Sequence, residues 1–189
     1  MPAKKIARKP ARTSAKKRAG ARAARPQFRL SSPDFRPNGM LSLEQVYNGF
    51  GCQGENISPA LEWSGAPEGT KSFALLCHDP DAPTGGAGWW HWLVVNIPPT
   101  VTSLPKDAGR ADGTKLPQGA MQVVTDFGSP GWGGPCPPAG DKPHRYVFTL
   151  YALKTEKLDV APTGASLAGF MVNANAIAKA TLVGRYGRA

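Results

Sequence analysis

KSFALLCHDPDAP, residues 71–83, decides how the rest of the chain is read. Alternation places Phe73, Leu75, Cys77 and Asp79 on one face of a strand. The Asp79-Pro80 step ends that strand, because a residue before proline is pushed out of the α region into an extended or turn conformation. An apolar row therefore finishes on a carboxylate that faces a loop. Two later runs share the design: His91 to Ile97 aligns His91, Leu93, Val95 and Ile97, and His144 to Leu153 aligns His144, Tyr146, Phe148, Leu150 and Ala152. In these two the polar group stands at the N-terminal end. Antiparallel neighbours bring all three ends to one edge of a sheet, so Asp79, His91, His144 and Tyr146 are treated as one constellation.

Outward from these strands the chain of 189 residues has the texture of a mainly β protein. Glycine (22) and proline (19) together exceed a fifth of the residues, too many for a helix bundle. About 160 folded residues bury roughly 68–70% of their unfolded surface, enough for a core without staples. From Phe28 onward, apolar residues sit among turn formers, as in short strands. The glycine-rich segment Tyr47 to Asn56 reads as a shaped loop. The link from Pro98 to Asp141, with its turn at Phe127 to Pro138, is long and aperiodic, which favours a functional loop. Leu167, Phe170, Met171, Ala174, Ile177, Ala178 and Leu182 recur at three- and four-residue spacing, predicting a helix over Thr163 to Val183 stopped by Gly184.

The formal charge of +10 is concentrated at one end, because residues 1–29 hold eleven Lys and Arg and no acid. This Ala-rich, proline-broken segment cannot bury enough surface to offset its ordering entropy, so it is expected to be a disordered tail. Its cations suit non-specific contact with nucleic-acid phosphates. Cys52, Cys77 and Cys136 show no C-x-x-C pairing and leave one over in any disulfide scheme, which favours a reducing compartment. No apolar run reaches the roughly 18 residues of a membrane span, and the N-terminus lacks a signal-peptide centre. The expectation is a cytoplasmic protein, with association to the nucleoid open through the tail.

Two imidazoles, a phenol and a proline-stiffened turn at Pro135-Cys136-Pro137 form a set of hydrogen-bond donors fit to hold a phosphate, with Asp79 orienting one imidazole. Asp81 reads as a turn former, and Trp89, Trp90, Trp92 and Trp132 as wall or core. No Ser or Cys sits beside a base in a recognisable motif, which predicts a non-enzymatic binding module without cofactor or metal. The alternative is an enzyme using the same residues. Asp79, His91 and His144 would then be a facial metal triad, or Cys136 and His144 a nucleophile–base pair.

DPDAP (79–83), WWHWLVVNIP (89–98) and GWGGPCPPAGDKPHRYVFTLYAL (131–153), with NISPALEWSGAPEGTKSFALL (56–76) before them, resemble the signature blocks of the phosphatidylethanolamine-binding protein family. The likeness is to its bacterial branch of Raf-kinase-inhibitor-like proteins, the YbhB/YbcL type, and runs from Phe28 to Tyr186. It implies a β-sandwich of two antiparallel sheets with a C-terminal helix over residues 28–189, preceded by the basic tail, residues 1–27. It also implies a small pocket for an anion such as phosphate or a phospholipid head group. Carried over by position, its residues are Asp79, His91, Pro135, Cys136, His144 and Tyr146. Eukaryotic members have glycine where this chain has Cys136. A regulatory or inhibitory role toward a partner protein is the further implication, and the tail lies outside the family pattern.

Overall fold

The computed structural model describes residues 27–160 and 164–189, so the expectation of a disordered tail lies outside the described residues for positions 1–26. In chain order the elements are β1 (Arg29–Ser31), β2 (Leu61–Ser64), β3 (Ser72–Asp79), β4 (Trp89–Ile97), β5 (Ser103–Leu104), β6 (Met121–Gln122), β7 (His144–Leu153), α1 (Ala165–Asn175) and β8 (Ala176–Tyr186). They form two antiparallel sheets, a three-stranded one in the order β1-β2-β5 and a five-stranded one in the order β6-β4-β3-β7-β8. This is the mainly β, two-sheet architecture read from the sequence.

The main core lies between the sheets. Leu30, Leu61, Trp63 and Leu104 of the small sheet pack on Phe73, Leu75, Trp92, Phe148, Leu150 and Leu182 of the large one. The other face of the large sheet carries Leu76, Leu93, Val95, Tyr151 and Leu153, covered by Ala165, Ala168 and Val172 of α1. Phe148 is fully buried, and truncating such a side chain typically costs about 3–5 kcal/mol.

The register of β3 against β7 runs without a break from Ser72↔Leu153 to His78↔Val147. Strict alternation therefore holds in both strands. On the other side of β3 it fails twice. The pairs Cys77↔Trp92 and His78↔Trp90 skip His91, and Phe73↔Ile97 and Leu75↔Val94 leave an extra β4 residue between them. Each is a bulge on β4, and Asn96 near the second has φ +59°. The expected face of His91, Leu93, Val95 and Ile97 is thereby corrected. Leu93 and Val95 face α1, while Ile97, with Trp92 and Val94, faces the inter-sheet core. His91 turns inward beside Trp92, its ring edge-on to Tyr146 at 5.0 Å.

The helix expected over Thr163 to Val183 is also shorter than predicted. α1 ends at Asn175, and Ala176–Tyr186 pairs along the whole of β7 as β8. The buried residues of α1 are Ala165, Ala168, Gly169 and Val172, whereas Leu167 and Phe170 are exposed. Small residues face the sheet because the helix lies close against it, with Gly169 approaching the Trp90 ring. Beyond Asn175, Ala180 and Leu182 are buried at a spacing of two. Pairing with β7 outweighs the helical preference of an Ala-rich run. Gly184 stops no helix: it lies within β8, where a Cβ would come 2.9 Å from a Leu41 methyl.

Cys52 and Cys136 form a disulfide with an S–S distance of 2.03 Å across 84 residues, leaving Cys77 as the free, buried thiol. The odd count left one cysteine over, as read, but the other two are bridged. The ground for a reducing compartment is removed with it. No helix among the described residues is long and apolar enough to cross a membrane.

Removing this bridge in a Cys52→Ser/Cys136→Ser variant is expected to cost about 2–4 kcal/mol, because it closes a long loop. In urea denaturation the unaltered protein should fall to the variant's stability when dithiothreitol is added. Equal stability of the two proteins without reductant would contradict this.

Candidate functional site

β3 lies between β4 and β7, so the C-terminal end of β3 and the N-terminal ends of its two neighbours meet at one edge. There Asp79, His91, His144 and Tyr146 line one hollow of about 230 Å³. Cys136, whose sulfur is bridged to Cys52, is on its wall together with Pro137 and Pro138. Pro135 does not line it. That residue is buried behind the wall, its carbonyl accepting from the Tyr47 N–H at 3.0 Å.

The floor rests on a buried pair. His144 Nδ1 donates to Asp79 Oδ2 at 2.8 Å, and both side chains are almost wholly enclosed. The second Asp79 oxygen accepts from the Asp81 N–H at 2.8 Å, the local closure expected of Asp before a turn. His144 Nε2 has a second carboxylate, Asp141 Oδ2, at 3.4 Å, a long contact. Asp79 thus orients an imidazole, as read from the sequence.

Asp81 does more than form a turn. Its carboxylate accepts from the Arg145 backbone N–H at 2.9 Å and from the guanidinium at 2.9 and 2.6 Å. These bonds from Arg145 hold its pKa down at about 2. The proline corner is in this way pinned to the start of β7. The signal was present in the alternation itself, since Arg145 lies between two inward residues and must point away from them.

His91 behaves unlike the donor expected. Its Nδ1 lies 2.5 Å from the Gly133 carbonyl oxygen, and the Gly133 N–H returns a bond to the His91 carbonyl at 2.9 Å. A carbonyl only accepts, so Nδ1 carries the hydrogen. Burial lowers the ring's pKa to about 4, against the Gly133 bond and Asp79, which act to raise it. At neutral pH the ring is uncharged and its remaining nitrogen, Nε2, is an acceptor. The expectation of two donor imidazoles is corrected by this hydrogen-bond direction.

Tyr146 is fully buried and its Oη has no hydrogen-bond partner among the described residues. Burial, with Asp79 nearby, holds its proton far above the usual tyrosine range. The hydroxyl is therefore a neutral group free to bond.

The mouth is built by two loops bolted together. Asn56 donates to the Trp132 carbonyl at 3.1 Å and accepts from the Gly134 N–H at 2.8 Å, while Trp132 Nε1 donates to the Gln45 carbonyl at 3.1 Å. A Cβ at Gly134 would lie 2.1 Å from the Gln45 oxygen, so only glycine allows this approach. Arg188 clasps both loops, donating to Pro137 at 2.7 Å and Gly51 at 3.3 Å. Phe50, Trp89 and Phe127 complete the wall; Phe50 is 69% exposed and stacks on Phe127 at 6.0 Å. Phe50 and Phe127 lie in aperiodic loops, where no alternation marked them. Trp89 is wall, and Trp92 and Trp132 are core.

Two enzymatic alternatives lose their support here. Cys136 has no thiol to act as a nucleophile. Among the described residues no three His, Cys, Asp or Glu side chains are grouped to hold a metal ion, Asp79, His91 and His144 included.

A family model described as phosphatidylethanolamine-binding protein matches residues 31–187. The chain is 58% identical over 160 residues to YbcL of Escherichia coli (strain K12), covering 84% of this chain and 87% of that one. It is 45% identical over 161 residues to YbhB of the same organism, covering 84% and 99%. The crystal structure of E. coli YbcL, described as a new member of the mammalian PEBP family, superposes with a TM-score of 0.83 at 56% identity, covering 86% of this chain and 99% of that one.

Both perturbed groups make the protein sensitive to acid. His91 has a folded pKa below its ordinary 6.5, so the unfolded chain takes up that proton first. Stability is full above pH 6.5 and falls as the pH drops toward 4. Asp81 is depressed from 3.8 to about 2, so its contribution is present above 3.8 and lost as the pH falls through 2. NMR titration should place His91 near 4 and Asp81 near 2, with Arg145→Ala returning Asp81 toward 3.8. A His91 that titrates near 6.5 would contradict the assignment.

Proposed function

This chain belongs to the phosphatidylethanolamine-binding protein family, and we propose that it is a non-enzymatic binding module. Its hollow takes a small phosphate-type ligand, such as a phosphorylated metabolite or a phospholipid head group, and its bound state regulates a partner protein. The observation that carries this is the unpartnered hydroxyl of Tyr146, a residue that lines the hollow. A buried hydroxyl without a partner costs about 1–3 kcal/mol, and a ligand oxygen at that point removes the penalty. The size fits a head group. At ~30 Å³ per water, a space of about 230 Å³ matches the volume of roughly seven to eight waters, below the roughly 300–1,000 Å³ of sites for drug-sized ligands.

The residues also support binding over catalysis. The bridged Cys136 offers no nucleophile, Asp79 and His144 are bonded to each other, and His91 is held through Nδ1, which leaves Tyr146 Oη and His91 Nε2 to meet a ligand. Pro135, Pro137 and Pro138 keep the wall stiff, so little order is lost on binding.

The basic segment supports a second, separate contact. Its eleven Lys and Arg in residues 1–29 suit non-specific binding to nucleic-acid phosphates.

Titrating a phosphate ester into the protein should shift the NMR signals of His91, His144 and Tyr146, and Tyr146→Phe should weaken binding by about ten- to a hundred-fold, the worth of a hydrogen bond to a charged group. Absence of shifts at all three residues contradicts the reading. For the tail, DNA affinity should fall with salt at a log–log slope of about −0.9 per phosphate contacted and vanish on deleting residues 1–26. Equal DNA binding by the truncated protein rejects that contact.

A further inference from the structure

We propose that the hollow reads a hydrogen atom on its ligand: it takes a phosphomonoester as the singly protonated monoanion, whose P–OH donates to His91 Nε2 while a charged oxygen accepts from Tyr146 Oη. The inference rests on the reading of the hollow as a phosphate-type site and narrows it to one ionisation state.

The geometry of His91 is the first ground. Its Nδ1 is engaged by the Gly133 carbonyl at 2.5 Å, and the returning Gly133 N–H holds the residue in place. The ring cannot exchange its tautomer without breaking that bond, so Nε2 remains an acceptor. An acceptor facing a fully ionised phosphate sets two lone pairs against each other. Facing a P–OH it makes an ordinary hydrogen bond.

The charge of the wall is the second ground. Among the residues lining the hollow, Asp79 is a carboxylate and no Lys or Arg is present. Arg145, the cation at the adjoining corner, is held by both oxygens of Asp81. A second negative charge on the ligand therefore meets Asp79 with no Lys or Arg on the wall to balance it.

Burial keeps the His91 ring neutral over the range in which a phosphomonoester changes charge, against the pull of some of the groups that face it. From β3 these groups are Asp79 and His78, from β7 Tyr146 and His144, and from the loop after β6 Asp126, with Phe127 and Trp132 as uncharged neighbours. Burial outweighs the attraction of Asp79 and Asp126, and the ring protonates only near pH 4. The ligand's own second ionisation, at about 6 for a phosphomonoester, is then the switch.

The test is a titration of the full chain with methyl phosphate, dimethyl phosphate and sulfate between pH 5.5 and 8.5. Binding is followed at the Tyr146 and His144 NMR signals, so that the basic residues 1–29 do not contribute. Dimethyl phosphate is a monoanion with no P–OH, and sulfate is a dianion with none. Methyl phosphate should bind most tightly at pH 5.5 and weaken by about tenfold per pH unit above its second ionisation. Dimethyl phosphate and sulfate should bind at least about tenfold more weakly at pH 5.5 and show no such slope, and the ¹⁵N shifts of His91 should report hydrogen on Nδ1 throughout. Methyl phosphate binding that is flat or strengthens with pH, sulfate binding as tight as methyl phosphate, or a parallel slope for dimethyl phosphate would each overturn the proposal while leaving the phosphate site standing. Failure of all three ligands to bind at any pH would overturn the site itself, and the proposal with it.

Discussion

The hydrogen bond from His144 Nδ1 to Asp79 Oδ2, 2.8 Å long and shut away from solvent, is the contact on which the site depends. Neither group is tolerable alone in that position. An isolated buried carboxylate or an imidazole with an open N–H is costly, and breaking such a pair by removing one member typically costs about 3–5 kcal/mol. Because the two residues end one strand and begin its neighbour, their bond fixes how the edge of the sheet is finished. Asp79's other oxygen caps Asp81, and Asp81 grips Arg145. One run of bonds joins the proline corner to β7 and leaves Tyr146 standing inward on a rigid floor.

The second constraint is a departure from regular sheet structure. A bulge at His91 gives that residue and Trp92 the same inward direction, which alternation forbids. Without it the imidazole would lie on the α1 face of the sheet and the hollow would lose one wall. The Gly133 carbonyl then sets the direction of the ring, and through Asn56, Trp132 and the Cys52–Cys136 bridge the same loop is fixed to the segment that carries Phe50. Floor and mouth are therefore parts of one network.

How much of this was legible in the sequence follows from the same physics. β3 and β7 were readable because their mutual register is unbroken, so apolar alternation maps directly onto faces. The meeting of Asp79, His144 and Tyr146 at one edge, with the start of β4 beside them, followed from antiparallel neighbours, whereas the inward turn of His91 needed the bulge. The bulges of β4 leave no mark in composition, and the face assigned to Leu93 and Val95 was wrong for that reason. β8 was hidden by an alanine-rich run that suits a helix locally and becomes a strand only because β7 has an edge to fill. The disulfide joins residues 84 apart with no motif between them. The direction of the His91 hydrogen bond depends on where Gly133 lands, which no local pattern encodes.

Taken together, the hollow has a stiff apolar wall, a neutral imidazole acceptor, a hydroxyl without a partner and one carboxylate already bonded on both oxygens. These features suit selective holding of a small phosphate-type group, and the family of the chain is one of binding proteins by its description. The most direct measurement is a crystal structure of the protein grown or soaked with methyl phosphate near pH 5.5. The account predicts a tetrahedral group in the hollow, one oxygen within about 3.2 Å of Tyr146 Oη and another within the same reach of His91 Nε2. A well-ordered, solvent-filled hollow at saturating ligand, or a phosphate group bound elsewhere with Tyr146 Oη still unpartnered, would contradict it.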